Sequence, residues 1–236
     1  MLSRKPALVL LSGGLDSATV LAWAQRQGYF LEAALSFVYG QRHVREIESA
    51  AAIAAYYGLS HQVIPLTSIE GSRLTDLGGI PQRRDLTSLT ETIAPTYVPN
   101  RNLILLAYAA ARALLGEVAY LIGGWNAADA LNYPDCRDEF LASAQQTLRL
   151  ATLREFTIVR PLIRDDKLAI VQRALDLHAP LHLTWTCFLG DERACGGCDA
   201  CQMRIAAFQQ AGIIDPILYA LPINWSGCQR YTGIPA

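Results

Sequence analysis

Ala7-Leu8-Val9-Leu10-Leu11-Ser12-Gly13-Gly14-Leu15-Asp16-Ser17 sets the architecture of this chain. The first five residues are a short apolar run that stops at a glycine turn, the pattern of a buried parallel strand. Helical spacing follows from Asp16 to about Gln27, where Val20, Leu21 and Ala24 share a face and Gly28 offers a stop. A glycine turn between strand and helix lies where ligands bind in open α/β sheets. Its backbone permits close approach, and the helix N-terminus adds unpaired N–H donors and partial positive charge, so the turn suits phosphate. Ser12 and Ser17 can donate to the same oxygens. Asp16 cannot attract a bare phosphate; it either braces the turn or holds a Mg²⁺ that bridges phosphate oxygens. The loop lacks the spacing of the kinase and GTPase phosphate loop and of the dinucleotide fingerprint.

Outward from this stretch the alternation continues. Strands are expected at Leu31 to Phe37, His61 to Pro65, Val118 to Ile122 and Thr157 to Val159. Helices are expected at Gln41 to Tyr57, Arg101 to Leu115, Glu139 to Leu150 and Asp165 to His178. Asn100 reads as an N-cap, and the helix after it, apolar nearly all round, as a buried one. Thr67 to Pro99 reads as a long loop placed to order over a ligand, and the tail after Gly212 as an irregular strap or frayed end. The fold class is therefore α/β, a doubly wound parallel five-stranded sheet with right-handed crossovers. The domain reading is a nucleotide-binding α/β domain over 1–180 and a zinc-binding segment over 181–236 packed on it.

Composition limits the function classes. The 236 residues carry 20 Lys+Arg against 21 Asp+Glu, a net charge of -1, which argues against a protein that coats nucleic acid. Lys5 and Lys167 are the only lysines, so a lysine with a chemical task has few candidates. No window approaches the roughly 20 apolar residues of a membrane helix, and the N-terminal apolar run is too short for a signal peptide, so the expected location is the cytoplasm. There thiols stay reduced, and clustered cysteines more readily hold metal than pair. Cys187, Cys195, Cys198 and Cys201 fall within a fifteen-residue stretch with two Cys-x-x-Cys gaps. They fit one closed tetrahedral Zn²⁺ site, structural because no position stays open; an iron–sulfur cluster or redox pair is the competing occupant. Cys136 and Cys228 read as small buried residues.

Taken together, the loop and the cysteines resemble the 7-cyano-7-deazaguanine synthase (QueC) family, within the ATP pyrophosphatases that cleave ATP between the α- and β-phosphates. The resemblance runs from about Leu8 to Gly212. Its further segments are Tyr39-Gly40-Gln41-Arg42-His43, Tyr97-Val98-Pro99-Asn100-Arg101-Asn102, Tyr133-Pro134-Asp135-Cys136-Arg137, and Pro161-Leu162 with Lys167. It implies an ATP-dependent ligase acting on 7-carboxy-7-deazaguanine and ammonia through an acyl-adenylate, with release of AMP and pyrophosphate. A second ATP then turns the amide into the nitrile. It also implies a homodimer. On this reading Leu11, Ser12, Gly13, Gly14, Leu15, Asp16 and Ser17 bind ATP with Mg²⁺, and Gln41, Arg42 and His43 lie near the nucleotide. Asp16, Arg101 and Lys167 are the catalytic candidates, the two cations neutralising charge on the leaving pyrophosphate, with a surface ion pair as their alternative. Asp129, Tyr133, Asp135 and Arg137 match the segment expected to contact the deazaguanine base. The chain departs from the family pattern at Ala130-Leu131-Asn132, where Tyr-Ser-Gly is common, at Asn100, where Gly or Ala is common, and at Val38, often Asp. The first departure keeps a second acceptor in view, an amine on a protein partner joined to the same activated carboxylate. A zinc-stabilised nucleic-acid-binding or scaffold protein with an inert loop is the rival from another class, and the scarcity of lysine weighs against it.

Overall fold

A computed structural model describes residues 5–41, 44–67, 69–76, 78–85, 93–190 and 192–233. Its centre is an all-parallel sheet of β1 (Lys5–Leu10), β2 (Tyr29–Val38), β3 (His61–Pro65), β4 (Tyr120–Ile122) and β5 (Thr157–Val159) in the order β3-β2-β1-β4-β5. The chain order reverses between β1 and β4, so the crevice at their carboxyl ends is the switch point of the sheet.

Both faces are covered, which is why β1 and β2 carry apolar residues on both sides instead of alternating. Ala7, Val9, Ala34 and Ile122 pack under α1 (Leu15–Arg26), α2 (Val44–Tyr56) and α6 (Lys167–Asp176). Leu8, Leu35, Phe37, Leu121 and Ile158 pack under α3 (Arg101–Ala113) and α5 (Asp138–Thr152). A short helix, α4 (Ala127–Ala130), and α7 (Asp199–Gln210) complete the helices. The 181–236 part shares both cores: Ala207 and Phe208 join the first, and Trp185, Cys187, Cys198 and Cys201 the second.

Several sequence expectations are corrected. The helix expected from Gln41 begins at Val44, because Gln41 instead closes the end of β2: its Oε1 accepts from Tyr39 N at 2.7 Å and its Nε2 donates to Phe37 O at 2.8 Å. α3 is not buried all round, since Leu103, Ile104 and Tyr108 are exposed on one side, whereas α1, beside the central strand, is buried on nearly every side. Asn100 does not cap α3 with its side chain; it sits in the left-handed region at φ 54°, which Asn tolerates better than most residues. Asp135 supplies the cap from another segment, its Oδ2 accepting from Asn102 N at 2.9 Å. The tail is a strap and not a frayed end through residue 233. β6 (Ile213–Ile214) pairs with β7 (Gln229–Arg230), Tyr219 bridges Ala194, and Tyr231 donates to Ala179 O at 2.8 Å. The 67–99 stretch contains no helix or strand among its described residues, and its Gln82–Arg84 portion lies along the cysteine segment.

Candidate active site and metal centre

The loop after β1 owes its shape to two glycines. Gly13 has φ 88°, and a Cβ there would lie 2.1 Å from the Glu46 carbonyl oxygen of α2, so only glycine lets the loop seat against that helix. Gly124, after β4, brings the second strand end against the first turn of α1, where a Cβ would stand 3.0 Å from the Asp16 carbonyl carbon. Gly14 occupies the N-cap of α1 without a side-chain cap, which leaves the first-turn N–H groups to an incoming anion. Ser12 Oγ donates to Ser17 Oγ at 3.1 Å, so the two hydroxyls meet over the same place.

Lys167 begins α6 directly after its N-cap Asp166, and that start aims the ammonium back at the loop. Its Nζ donates to Asp16 Oδ2 at 2.8 Å and stands 3.0 Å from Asp129 Oδ1. Asn126 ties the carboxylates together, its Nδ2 donating to Asp129 Oδ2 at 2.8 Å and to Asp16 Oδ2 at 3.2 Å. Burial alone would drive the Lys167 ammonium to lose its proton, but Asp129 and then Asp16 more than reverse this, and it stays cationic. Burial raises the Asp16 carboxyl, with Lys167 opposing that rise. Asp16 Oδ1 is buried and meets no hydrogen-bond donor among the described residues.

Lys167, Asp16 and Asp129 line a cavity of about 300 Å³ at the switch point, with Asn126 behind them. Of the sequence candidates it collects Leu11, Ser12, Gly14, Leu15, Asp16, Ser17, Gln41, Arg101, Asp129, Tyr133 and Lys167. Gly13 lies behind the wall, and Arg42 and His43 fall outside the described residues. Asp135 and Arg137 do not line the cavity: Asp135 is engaged in capping α3, and Arg137 Nε donates to Ala130 O at 3.2 Å. Arg101 rests over the Tyr39 ring, 6.0 Å from its centroid, and reaches the Tyr39 hydroxyl at 3.4 Å. The ion-pair alternative for Lys167 holds in part, since it is paired, but the pair is partly buried within the cavity and not on open surface.

Sequence reasoning did not select four groups at this site: Asn126, Glu46, Trp185 and Arg204. Asn126 carried a legible signal, an Asn three residues before an acidic residue, and it is indeed the N-cap of α4. Glu46 lines the cavity with its carboxyl pushed up to about 7, burial outweighing the pull of Arg101. Trp185 holds the loop from below, donating its backbone N–H to Gly13 O at 2.8 Å. Arg204 is fully buried, paired through both its Nε and Nη2 with Asp215 at 2.7 and 3.0 Å and donating to Thr186 at 2.9 Å.

The four cysteines of the 187–201 stretch converge: their sulfurs lie within 4.8 Å of one another. Backbone N–H groups of Leu189, Gly190 and Cys195 donate to Cys187 Sγ, and those of Gly197 and Cys198 to Cys195 Sγ, at 3.0–3.4 Å. Hydrogen bonds from Cys198 and Cys201 draw the Cys187 thiol far below its usual range. Four soft donors with N–H groups aimed at sulfur are the environment of a bound metal, and this centre can hold one. Cys136 is buried and lines the cavity, and Cys228 is half-buried.

A doubly wound parallel sheet with this serine–glycine turn at its switch point, and a charged lysine held over it, defines an α/β protein of the adenine-nucleotide α-hydrolase-like fold. Within that class the chain belongs to the QueC family, whose model, described as "Queuosine biosynthesis protein QueC", matches residues 6–212. It is 44% identical over 230 residues to 7-cyano-7-deazaguanine synthase of Thermosynechococcus vestitus, covering 94% of this chain and 98% of that protein. It is 45% identical over 223 residues to the enzyme of the same name from Thermoplasma volcanium, covering 92% and 91%. Among solved structures, the NMN synthetase of Francisella tularensis is 17% identical, with a TM-score of 0.49 over 76% of this chain and 64% of that one.

Proposed function

We propose that this protein is an ATP-dependent C–N ligase that converts 7-carboxy-7-deazaguanine and ammonia to 7-cyano-7-deazaguanine, releasing AMP and pyrophosphate. The observation that carries the reading is the Lys167–Asp16–Asp129 cluster poised over the Ser12–Ser17 turn, in a chain of this family. The substrate carboxylate attacks the α-phosphorus of ATP, and the bond to the β-phosphate breaks with its electron pair leaving on pyrophosphate. The turn's N–H groups and hydroxyls receive that leaving group, while Lys167 and Arg101 offset the charge that builds on it. Ammonia displaces AMP from the acyl-adenylate to give the amide. The amide oxygen is then adenylated by a second ATP, and loss of AMP leaves the nitrile. A cavity walled by Trp185, Tyr39 and Leu105 keeps water from the adenylate.

Asp16 suits Mg²⁺, because its buried Oδ1 lacks a donor and a hard cation takes such an oxygen; bound with ATP, the ion would neutralise phosphate charge. Zinc suits the four thiolates and would be a structural, closed site, one per chain. In this scheme 1–180 handles nucleotide and substrate, and 181–236 carries the metal and supports the loop from below. Asp129 and Tyr133 face the deazaguanine, Asp135 positions Arg101 and Asn102 by capping α3, and Arg42 and His43 flank the nucleotide. The apolar side of α3 at Leu103, Ile104 and Tyr108 favours a homodimer. No helix among the described residues is long and apolar enough to cross a membrane, and the thiolate site favours the reducing cytoplasm.

The test is product analysis. Purified protein with ATP, Mg²⁺, ammonium and 7-carboxy-7-deazaguanine is expected to yield the nitrile, AMP and pyrophosphate by mass spectrometry. Recovery of ADP, or of no nitrogen-containing product, rejects the reading.

A further inference from the structure

A second cavity, of about 270 Å³, opens behind the first. Lys167 and Met203 belong to the walls of both, so the two spaces are separated by these side chains. Elsewhere the second is lined by methyl and methylene groups from Ala128, Leu131, Leu168, Ala206 and Ala207, with three polar exceptions, Asp166, Asn132 and the exposed Gln210. Asp166 is exposed, and one of its carboxylate oxygens caps α6. Asn132 Oδ1 is buried and has no hydrogen-bond partner among the described residues. Leu131 and Asn132 line this space and not the first.

We propose that this second cavity is the port through which the amine nucleophile, ammonia, reaches the adenylate. The proposal rests on the ligase reading above. The walls suit no larger substrate: a triphosphate would find Lys167 as its only cation and an exposed carboxylate at the mouth, and a purine edge would find, beside these charges, only the amides of Asn132 and the exposed Gln210. A small cation fits better. Asp166 attracts ammonium from solution, and the free Asn132 Oδ1 accepts one of its N–H groups. Deeper in stands Lys167, held cationic between Asp16 and Asp129 at 2.8 and 3.0 Å. It repels a second cation, so ammonium must give a proton to water at the mouth, and neutral ammonia passes. Beyond Lys167, the nitrogen lone pair forms the C–N bond and the acyl C–O bond breaks with its electrons leaving on AMP. One N–H proton passes to solvent.

Leu131→Trp fills the port from an exposed position, and Asn132→Leu removes its acceptor at nearly constant volume. Two rates are measured on each: carboxylate-dependent exchange of pyrophosphate into ATP, which needs no ammonia, and product formation against ammonium concentration. Both variants are expected to raise the KM for ammonium by about tenfold while exchange stays near wild type; retained exchange also reports an intact fold. An unchanged KM for ammonium in both variants overturns the port. Loss of exchange along with it also overturns the port, by making the cavity part of the nucleotide site. Absence of carboxylate-dependent exchange in the wild type removes the ligase reading instead.

Discussion

At the scale of single residues, the site turns on one cation serving two carboxylates. Lys167 lies between Asp16 and Asp129, and Asn126 Nδ2 donates to both acids, so any triphosphate entering the cavity meets an ammonium already desolvated and aimed. Lys167→Met would leave two acids sharing one amide, and one of them would take up a proton. AMP formation is expected to fall by about 100-fold or more with little change in the KM for ATP. Steady-state kinetics with that variant checks this, and a fall of less than a few-fold assigns Lys167 to structure only. Glu46 predicts a pH effect. Its folded carboxyl, near 7, lies above its unfolded value of about 4.5, so between these values the native state binds the extra proton. Stability therefore falls as pH rises through that window, and Glu46→Gln removes that contribution. The variant's melting temperature is expected to gain on wild type from pH ~5 to pH ~7; parallel curves would place Glu46 in an ordinary solvated state.

At the scale of elements, legibility followed the strength of local pattern. β3 and β5 lie where alternating and apolar runs place them, and the five-stranded parallel sheet follows from strands separated by helical stretches. The helix misjudged for burial, α3, shows beside α1 why periodicity alone falls short. α3 is rich in apolar residues yet flanks the sheet, whereas α1 carries few large ones yet runs over the central strand. Position in the sheet, which no local window contains, sets the difference. α7 escaped notice because its first turn, from Asp199 through Cys201, overlaps the cysteine pattern, and the metal signal masked the helical one. At the site, the loop, Asp129 and Lys167 were legible because motifs name them. Asp135 was legible as a residue but not as a cap, because its partner Asn102 is 33 residues away. Glu46 and Arg204 carried no local signal; the packing of α2 and α7 brings each to the cavity.

At the scale of the whole molecule, the cysteine segment organises the long loop. Arg83 N donates to Gly197 O at 2.7 Å, Gln82 bridges Cys198, and Arg84 pairs with Asp199, the first residue of α7. All three anchors are on or beside the clustered cysteines, while among the described residues of 67–85 only Leu74 and Ile80 of the larger apolar side chains are buried. Its order therefore depends on the geometry of the thiolate knuckle more than on its own core. Metal binding of this kind is folding free energy, because the ligands converge only in the folded state. Chelation of a metal held by these cysteines is expected to lower the melting temperature by several degrees, at about 2–4 °C per kcal/mol for a chain of this size. It is also expected to speed proteolytic cleavage within 67–99 before the sheet is attacked, because the loop loses its anchors while β1, β2 and β4 keep theirs. Limited proteolysis mapped by mass spectrometry, with metal content measured on the same samples, checks both. Unchanged cleavage of 67–99 in demonstrably metal-free protein would mean that Leu74 and Ile80 suffice to hold the loop and that the knuckle stabilises only itself.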